Sequence, residues 1–228
     1  MNNIFFRTIL RPGIYGVMGK PRAGKTTLVA AIAYENFRRK KISDKLIKPF
    51  KFIYDKFKPH YDNVYCTDLT IKNTIKFSYS TFGKWEPPPR SLILLEECGI
   101  GFNNRNYKSM PEEAKRLIAY IGHKKSSIVW SSQTADIDIT LRVRTHKIFM
   151  IRKWLSHFSS VSPIDYEFGV DNERGEMRDI YHTPQGLVKV LFSFIIRSSF
   201  IFWRKPYYKM FDSFEDSYKY PLKAPVMK

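Results

Sequence analysis

The sequence predicts an α/β fold, in which a mainly parallel sheet carries helices on both faces. Three observations lead to this class: short uninterrupted apolar runs, connections long enough to hold helices, and a glycine-rich stretch, GKPRAGKTT, between an apolar run and a helical one. Strands that are buried on both faces appear as continuous apolar runs, and parallel neighbours need long crossover connections. Alternation of such strands with helices therefore indicates a layered α/β domain.

Five apolar segments are the predicted strands. The first covers 13–18 and leads into the glycine-rich stretch, after which a helix is predicted from 25 to about 38. Further strands are predicted at 63–68, 91–95, 126–132 and in KIFMIRKW, 147–154. Pro111 suits the first position of a helix that runs to about 121, because the N–H that proline lacks has no helical partner there.

The chain of 228 residues is long enough for one α/β domain with an extension. We place a core with the glycine-rich loop at 1–155, and an extension with strands, packed on that core, at 156–228. Charged residues interrupt the apolar segment 187–203, and its longest charge-free run, 190–196, is far shorter than the roughly 18–20 residues that cross a bilayer. This segment predicts core strands, with peripheral membrane contact as the alternative.

The formal net charge of +18 predicts an anionic partner. Nucleic acid is the leading interpretation, a membrane surface is the second, and a basic protein with neither partner is the third. Cys66 and Cys98 are isolated in the sequence, without histidines at ligand spacing. They indicate neither a zinc site nor a disulfide framework, and they fit a reducing cytoplasm.

The glycine-rich stretch matches the G-x-x-x-x-G-K-[ST] phosphate loop, here called the phosphate loop (19–26). Its glycines let backbone N–H groups turn toward phosphate oxygens, and the following helix adds its positive N-terminus. Lys25 is expected to contact the β and γ phosphates of ATP, and the Thr26 hydroxyl to hold Mg²⁺. The predicted nucleotide-binding residues are Gly19, Lys20, Pro21, Arg22, Ala23, Gly24, Lys25, Thr26 and Thr27.

An acidic pair follows the apolar strand at 91–95, in LILLEE. Glu96 is expected to support Mg²⁺, and Glu97 to polarise the water that attacks the γ phosphate. The alternative is that both are solvated acids at a strand end.

Two polar residues complete the predicted site. Gln133 ends the next strand, where its side chain is expected to lie beside the γ phosphate. Arg142, or Arg144, is a candidate for an arginine that reaches the nucleotide of a neighbouring subunit. The alternative is that these arginines are solvated residues flanking an edge strand.

Five segments in order resemble the zonula-occludens-toxin-like ATPases, which include filamentous-phage assembly proteins and viral packaging ATPases of the FtsK/HerA branch of RecA-like proteins. These segments are GKPRAGKTT, VYCTDLTI, SLILLEECGIGFNNR, IGHKKSSIVWSSQTADIDITLRVR and YYKMFDSFED. The resemblance spans 13–217 and implies a RecA-like P-loop fold, ATP and Mg²⁺ as cofactors, and a ring, expected to be a hexamer, that passes DNA. It also implies viral capsid or assembly proteins as partners, in the host cytoplasm or the virion.

The chain departs from this family in two places. Glu96 stands where the family usually has aspartate, and the filamentous-phage members carry a transmembrane helix that this sequence does not show. Three alternatives to a DNA-translocating ATPase follow: a membrane-associated assembly ATPase, a basic virion protein with a vestigial nucleotide site, and a partition ATPase of the ParA type. Only Lys20 suggests the last, and Pro21 and Arg22 stand where such loops have glycines.

Overall fold

A computed structural model describes residues 3–67, 71–102, 110–133, 137–170, 177–182 and 200–211. Within these ranges the α-helices are α1 (Asn3–Ile9), α2 (Lys25–Ser43), α3 (Lys48–Phe57), α4 (Cys98–Gly101), α5 (Glu112–Tyr120) and α6 (Ile139–Val143), and 3-10 helices cover Tyr79–Thr81 and Lys205–Met210. The strands are β1 (Gly13–Met18), β2 (Asn63–Thr67), β3 (Ile75–Phe77), β4 (Ser91–Leu95), β5 (Ser127–Ser132), β6 (Lys147–Leu155), β7 (Phe158–Val170), β8 (Met177–His182) and β9 (Phe200–Trp203).

The strands of the described ranges form one sheet in the order β3-β2-β4-β5-β1-β6-β7-β8, with β9 also paired to β7. All pairings from β3 to β6 are parallel, whereas β7 runs antiparallel to β6, β8 and β9. The predicted mainly parallel α/β fold is therefore confirmed. One strand, β5, separates the strand of the phosphate loop from the strand of the acidic pair.

The alternation of side chains along each strand divides the core between the two faces of the sheet. Val17 of β1 packs with α1 and α2 on one face, and Ile14 of the same strand packs with α5 and α6 on the other. Helices thus cover both faces, as predicted. At the sheet centre Gly16 lies opposite Trp130 of β5, and a Cβ atom on Gly16 would come within 2.3 Å of the indole ring.

Most predicted elements are present, with shifted ends. Helix α2, which is predicted to end near residue 38, continues to Ser43. Pro111 is the N-cap of α5 and not its first residue, because its ψ of 144° is extended rather than helical. The strand predicted at 63–68 is present as Asn63–Thr67, and residue 68 lies outside the described residues. The charge-free run 190–196 lies outside the described residues, so its predicted strands remain untested.

The described strands of the extension continue the core sheet. Val161 of β7 and Phe202 of β9 belong to the same apolar cluster as α1 and α2. The boundary at 155/156 between core and extension remains a prediction. Among the described helices, none is long and apolar enough to span a bilayer.

A buried ion pair fixes the middle of α2. Glu35 accepts hydrogen bonds from Arg39 Nε at 2.9 Å and from Arg38 Nε at 2.8 Å. Arg39 is fully buried and also donates to the carbonyls of Phe6 and Pro59. Burial acts to raise the pKa of Glu35, but the hydrogen bonds and charges of the two arginines outweigh it and hold the pKa below 4.5.

Glu35→Gln should lower the free energy of unfolding by about 3–5 kcal/mol, because it leaves the Arg39 charge buried and unpaired. Denaturant unfolding measures this loss. The loss should shrink as the pH falls through the lowered pKa of Glu35, since a depressed carboxyl pKa stabilises only while the group is ionised. Glu112→Gln, in an exposed pair with Lys115, is the control and should leave stability unchanged, and an equal loss there would contradict the account.

Candidate active site

The carboxyl ends of β1, β4 and β5 meet at one edge of the sheet, because the three strands are parallel neighbours. The phosphate loop follows β1, Glu96 and Glu97 follow β4, and Gln133 follows β5. These residues are far apart in sequence and reach one place only through this topology. It is the edge at which open α/β sheets bind ligands.

The phosphate loop is shaped by two left-handed residues. Gly24 has φ 101°, a conformation that favours glycine, and Arg22 has φ 60°. Gly19 is needed for a different reason: a Cβ atom there would lie 2.4 Å from the carbonyl oxygen of Ile151 in β6. Among the predicted loop residues, Lys20, Pro21 and Arg22 are exposed, while Ala23 and Thr27 are buried.

Lys25 is buried at the first turn of α2 and bends back over the loop. Its ammonium group donates to the carbonyls of Gly19 at 3.1 Å and Lys20 at 3.4 Å. It also lies 3.8 Å from a carboxylate oxygen of Glu97. The ammonium group is therefore placed between the loop backbone and the partly exposed carboxylate of Glu97.

Glu96 connects the loop helix to the sheet. Its buried carboxylate accepts a hydrogen bond from the Thr26 hydroxyl and a second, at 2.7 Å, from the Ser131 hydroxyl of β5. Burial raises the pKa of Glu96 above its ordinary value, with a smaller contribution from the charge of Glu97, and the two hydroxyl hydrogen bonds and Lys25 act in the opposite direction. A bound cation would favour the ionised form of such a carboxyl.

The oxygens of Thr26 and Glu96 fit the ligand preference of Mg²⁺, which takes hydroxyl and carboxylate oxygens in proteins. The hydrogen bond between them places both oxygens side by side. The extra methylene of glutamate, relative to the family's aspartate, does not keep the carboxylate from the Thr26 hydroxyl.

Glu97 has a strained backbone, with φ 49° and ψ 47°. Left-handed geometry in a residue other than glycine persists where surrounding contacts hold it, often at functional sites. Its N–H donates to Ser131 Oγ at 3.2 Å, and its partly exposed carboxylate accepts from Gln133 Nε2 at 3.3 Å. The structure therefore places Gln133 and Lys25 on the same carboxylate, that of Glu97.

Arg142 lies in α6, and Arg144 follows that helix as its C-cap. The interpretation that they flank an edge strand is wrong, because the next strand, β6, is paired on both sides, with β1 and β7. The Arg142 side chain is half-buried. Its action on a neighbouring subunit remains a prediction.

Several positioning residues escaped prediction because their partners are distant in sequence. Ser131 links both acids, as described above. Thr67 Oγ1 accepts a hydrogen bond from the N–H of Glu96 at 2.8 Å, and the Tyr79 hydroxyl donates to the Glu96 carbonyl. The only signal in the sequence is the occurrence of polar residues at the ends of otherwise apolar strands.

The extension braces the outer side of the phosphate loop. Ser159 Oγ of β7 donates to the carbonyl of Ala23 at 2.6 Å. Buried Arg204, after β9, donates to the carbonyls of Arg22 at 3.3 Å and Leu155 at 3.2 Å, and also to that of Ser156. A Cβ atom on Gly24 would lie 2.5 Å from Arg204 Cδ, so the loop packs closely on this brace.

Ser159→Ala removes one hydrogen bond to the phosphate loop and deletes a single side-chain atom, the buried Oγ. We expect roughly fivefold weaker binding of ATP, corresponding to about 1 kcal/mol for one neutral hydrogen bond, with little change in melting temperature. Titration with a fluorescent ATP analogue measures the affinity. Ser160→Ala, whose side chain points to the opposite face of β7, is the matched control, and equal weakening by both variants would contradict a role of Ser159 in shaping the loop.

No family model matches the sequence, and no curated protein matches it either. Similar solved structures include the N-terminal domain of zonular occludens toxin from Neisseria meningitidis, at 17% identity and TM-score 0.46, covering 76% of this chain and 94% of that one. They also include the genome packaging NTPase B204 from Sulfolobus turreted icosahedral virus 2, at 9% identity, TM-score 0.40 and coverages of 77% and 98%.

A third similar structure is the flagellar accessory protein FlaH from Methanocaldococcus jannaschii, at 8% identity, TM-score 0.44 and coverages of 80% and 97%. The proposed chemistry of the site is argued from the contacts of Lys25, Glu96 and Glu97 described above.

Proposed function

We propose that the protein is a P-loop ATPase that couples ATP hydrolysis to the movement of DNA in viral genome packaging or virion assembly. One observation carries the ATPase assignment: three parallel strands bring together a phosphate loop, a buried acid on the Thr26 hydroxyl, and a second acid held near Lys25 and Gln133. A vestigial site would have no need to keep all three contacts.

ATP would be bound by the loop backbone and by Lys25. The ammonium group now donates to loop carbonyls, which are weak acceptors compared with phosphate oxygens, so it can turn toward the nucleotide. Thr26 and Glu96 would hold Mg²⁺, which when bound neutralises charge on the β and γ phosphates.

Glu97 would act as the base that orients the attacking water. The water oxygen bonds to the γ phosphorus, the bond from that phosphorus to the bridging oxygen of ADP breaks, and the water proton passes to the Glu97 carboxylate. Gln133, which donates to this carboxylate, would hold it in position and respond to the γ phosphate. The role is positioning more than covalent chemistry.

Coupling to DNA is supported by the net charge of +18 and by the ordered resemblance of the sequence to DNA-translocating ATPases. The same resemblance supports a ring, with Arg142 acting on the nucleotide of a neighbouring subunit, and viral capsid or assembly proteins as partners. The host cytoplasm or the virion is the proposed location.

The direct test is Mg²⁺-dependent ATP hydrolysis by the assembled protein, with and without DNA. Lys25→Ala should abolish nucleotide binding, because it removes the only cation that the described structure places inside the phosphate loop. Glu97→Gln should keep nucleotide binding and lower the hydrolysis rate by about 10²–10⁴-fold, since it removes the base and retains the shape of the side chain.

Lys20→Ala is the matched control for Lys25→Ala, because Lys20 would bind phosphate through its backbone N–H, which alanine keeps, and its side chain is exposed. It should leave hydrolysis near the wild-type rate. Loss of activity on Lys20→Ala would favour a partition-type loop, and no hydrolysis by the wild-type protein with Mg²⁺ and DNA would overturn the proposed function. DNA that leaves the hydrolysis rate unchanged would overturn the coupling alone.

A further inference from the structure

Helix α3 presents an apolar stripe to solvent. Phe50, Ile53 and Phe57 form this stripe, and their side chains are 60%, 54% and 51% exposed. Spacings of three and four residues place them on one side of the helix. None of the ten residues of α3 is buried, so the helix lies on the surface of the protein with its apolar stripe uncovered.

Lysines surround the apolar stripe. Residues 40–58 contain seven lysines and two aspartates, and none of these lysines is buried: Lys40, Lys41, Lys45, Lys48, Lys51, Lys56 and Lys58. A short helix with an exposed apolar side and a lysine-rich remainder is typical of segments that lie in the headgroup region of a membrane.

The helix is held firmly against the end of α2. Ser43 donates to Asp55 at 2.6 Å, and Lys51 pairs with Asp44 at 3.1 Å. Arg7 of α1 lies over the ring of Phe57, 5.6 Å from its centroid. The Arg7 contact covers part of the Phe57 ring, yet more than half of each side chain in the stripe stays exposed.

The position of α3 separates it from the phosphate loop. Helix α2 begins at the loop and runs 19 residues, or about 28 Å at the usual rise, before α3 follows. The chain then enters β2 at Asn63, at the amino ends of the parallel strands. Helix α3 therefore lies at the edge of the sheet opposite to the candidate active site.

We propose that α3 docks the protein on an anionic membrane surface, with the apolar stripe among the acyl chains and the lysines at the lipid phosphates. This interaction goes beyond the proposed ATPase function and uses a segment unrelated to 187–203. Charge complementarity favours lipid, since anionic headgroups attract clustered lysines and the adjoining acyl region accepts the apolar side chains.

Two other occupants fit the surface less well. Duplex DNA would satisfy the lysines but leave Phe50, Ile53 and Phe57 against a charged backbone. A second copy packed through the same helix would bring two sets of seven lysines together, which like charges disfavour. The interface of an anionic bilayer accommodates both the apolar stripe and the surrounding lysines.

Vesicle flotation tests the proposal. The full-length protein should bind vesicles of equal parts phosphatidylglycerol and phosphatidylcholine, and bind vesicles of phosphatidylcholine alone much less. The triple variant Phe50→Ser/Ile53→Ser/Phe57→Ser should reduce binding about tenfold or more. Because these side chains are exposed, the variant should keep the melting temperature of the wild type.

The control is Ile75→Ser/Tyr120→Ser, which removes comparably exposed hydrophobic side chains outside α3 and should leave vesicle binding unchanged. Lys48→Glu/Lys56→Glu should weaken the preference for phosphatidylglycerol while retaining the apolar stripe. ATP hydrolysis should stay at the wild-type rate in all three variants, because the changes lie away from the phosphate loop.

The possible outcomes test membrane docking and ATPase activity independently. Wild-type protein that ignores anionic vesicles, or a triple variant that binds them equally, overturns membrane docking even if ATP hydrolysis is intact. A triple variant that loses DNA retention, or changes oligomeric mass in light scattering, while vesicle binding persists, assigns α3 to nucleic acid or to a subunit contact. Vesicle binding that depends on α3 in a protein without ATPase activity would uphold docking and refute the proposed function.

Discussion

The contact on which the site depends is the one between the Thr26 hydroxyl and the buried Glu96 carboxylate. It joins the first turn of α2 to the end of β4, and Ser131 of β5 holds the other carboxylate oxygen. A buried carboxyl with a raised pKa destabilises the fold when it is ionised without a cation. The buried position of Glu96 therefore fits a site that binds a cation.

Short apolar runs were sufficient to predict the fold, because parallel strands that are buried on both faces appear in the sequence as nearly continuous hydrophobic segments. The same runs made Gly19, Lys25, Thr26, Glu96, Glu97 and Gln133 predictable as neighbours, since all follow strands that end at one edge. Ser159 and Arg204 were not predictable, because their partners in the phosphate loop lie 136 and 182 residues away. The strained backbone of Glu97 was also invisible in the sequence, because it is set by tertiary contacts.

Helix α2 connects the candidate active site to α3, the proposed membrane-docking helix. Its first turn supplies Lys25 and Thr26 to the candidate active site, and its last turn supplies Ser43, which holds α3. The buried pair of Glu35 and Arg39 lies between them and fixes the helix in the core. Docking at α3 and nucleotide binding at the loop are thus separable in space but share one rigid element.

The decisive measurement is a structure of the protein with a slowly hydrolysed ATP analogue and Mg²⁺ bound. We expect phosphates inside loop 19–26, with Lys25 moved from the carbonyls of Gly19 and Lys20 to a phosphate oxygen. We also expect the cation at Thr26 and Glu96, and Glu97 facing the γ phosphate. A nucleotide bound elsewhere, or a loop that keeps Lys25 on its own carbonyls with the analogue present at saturation, would contradict it.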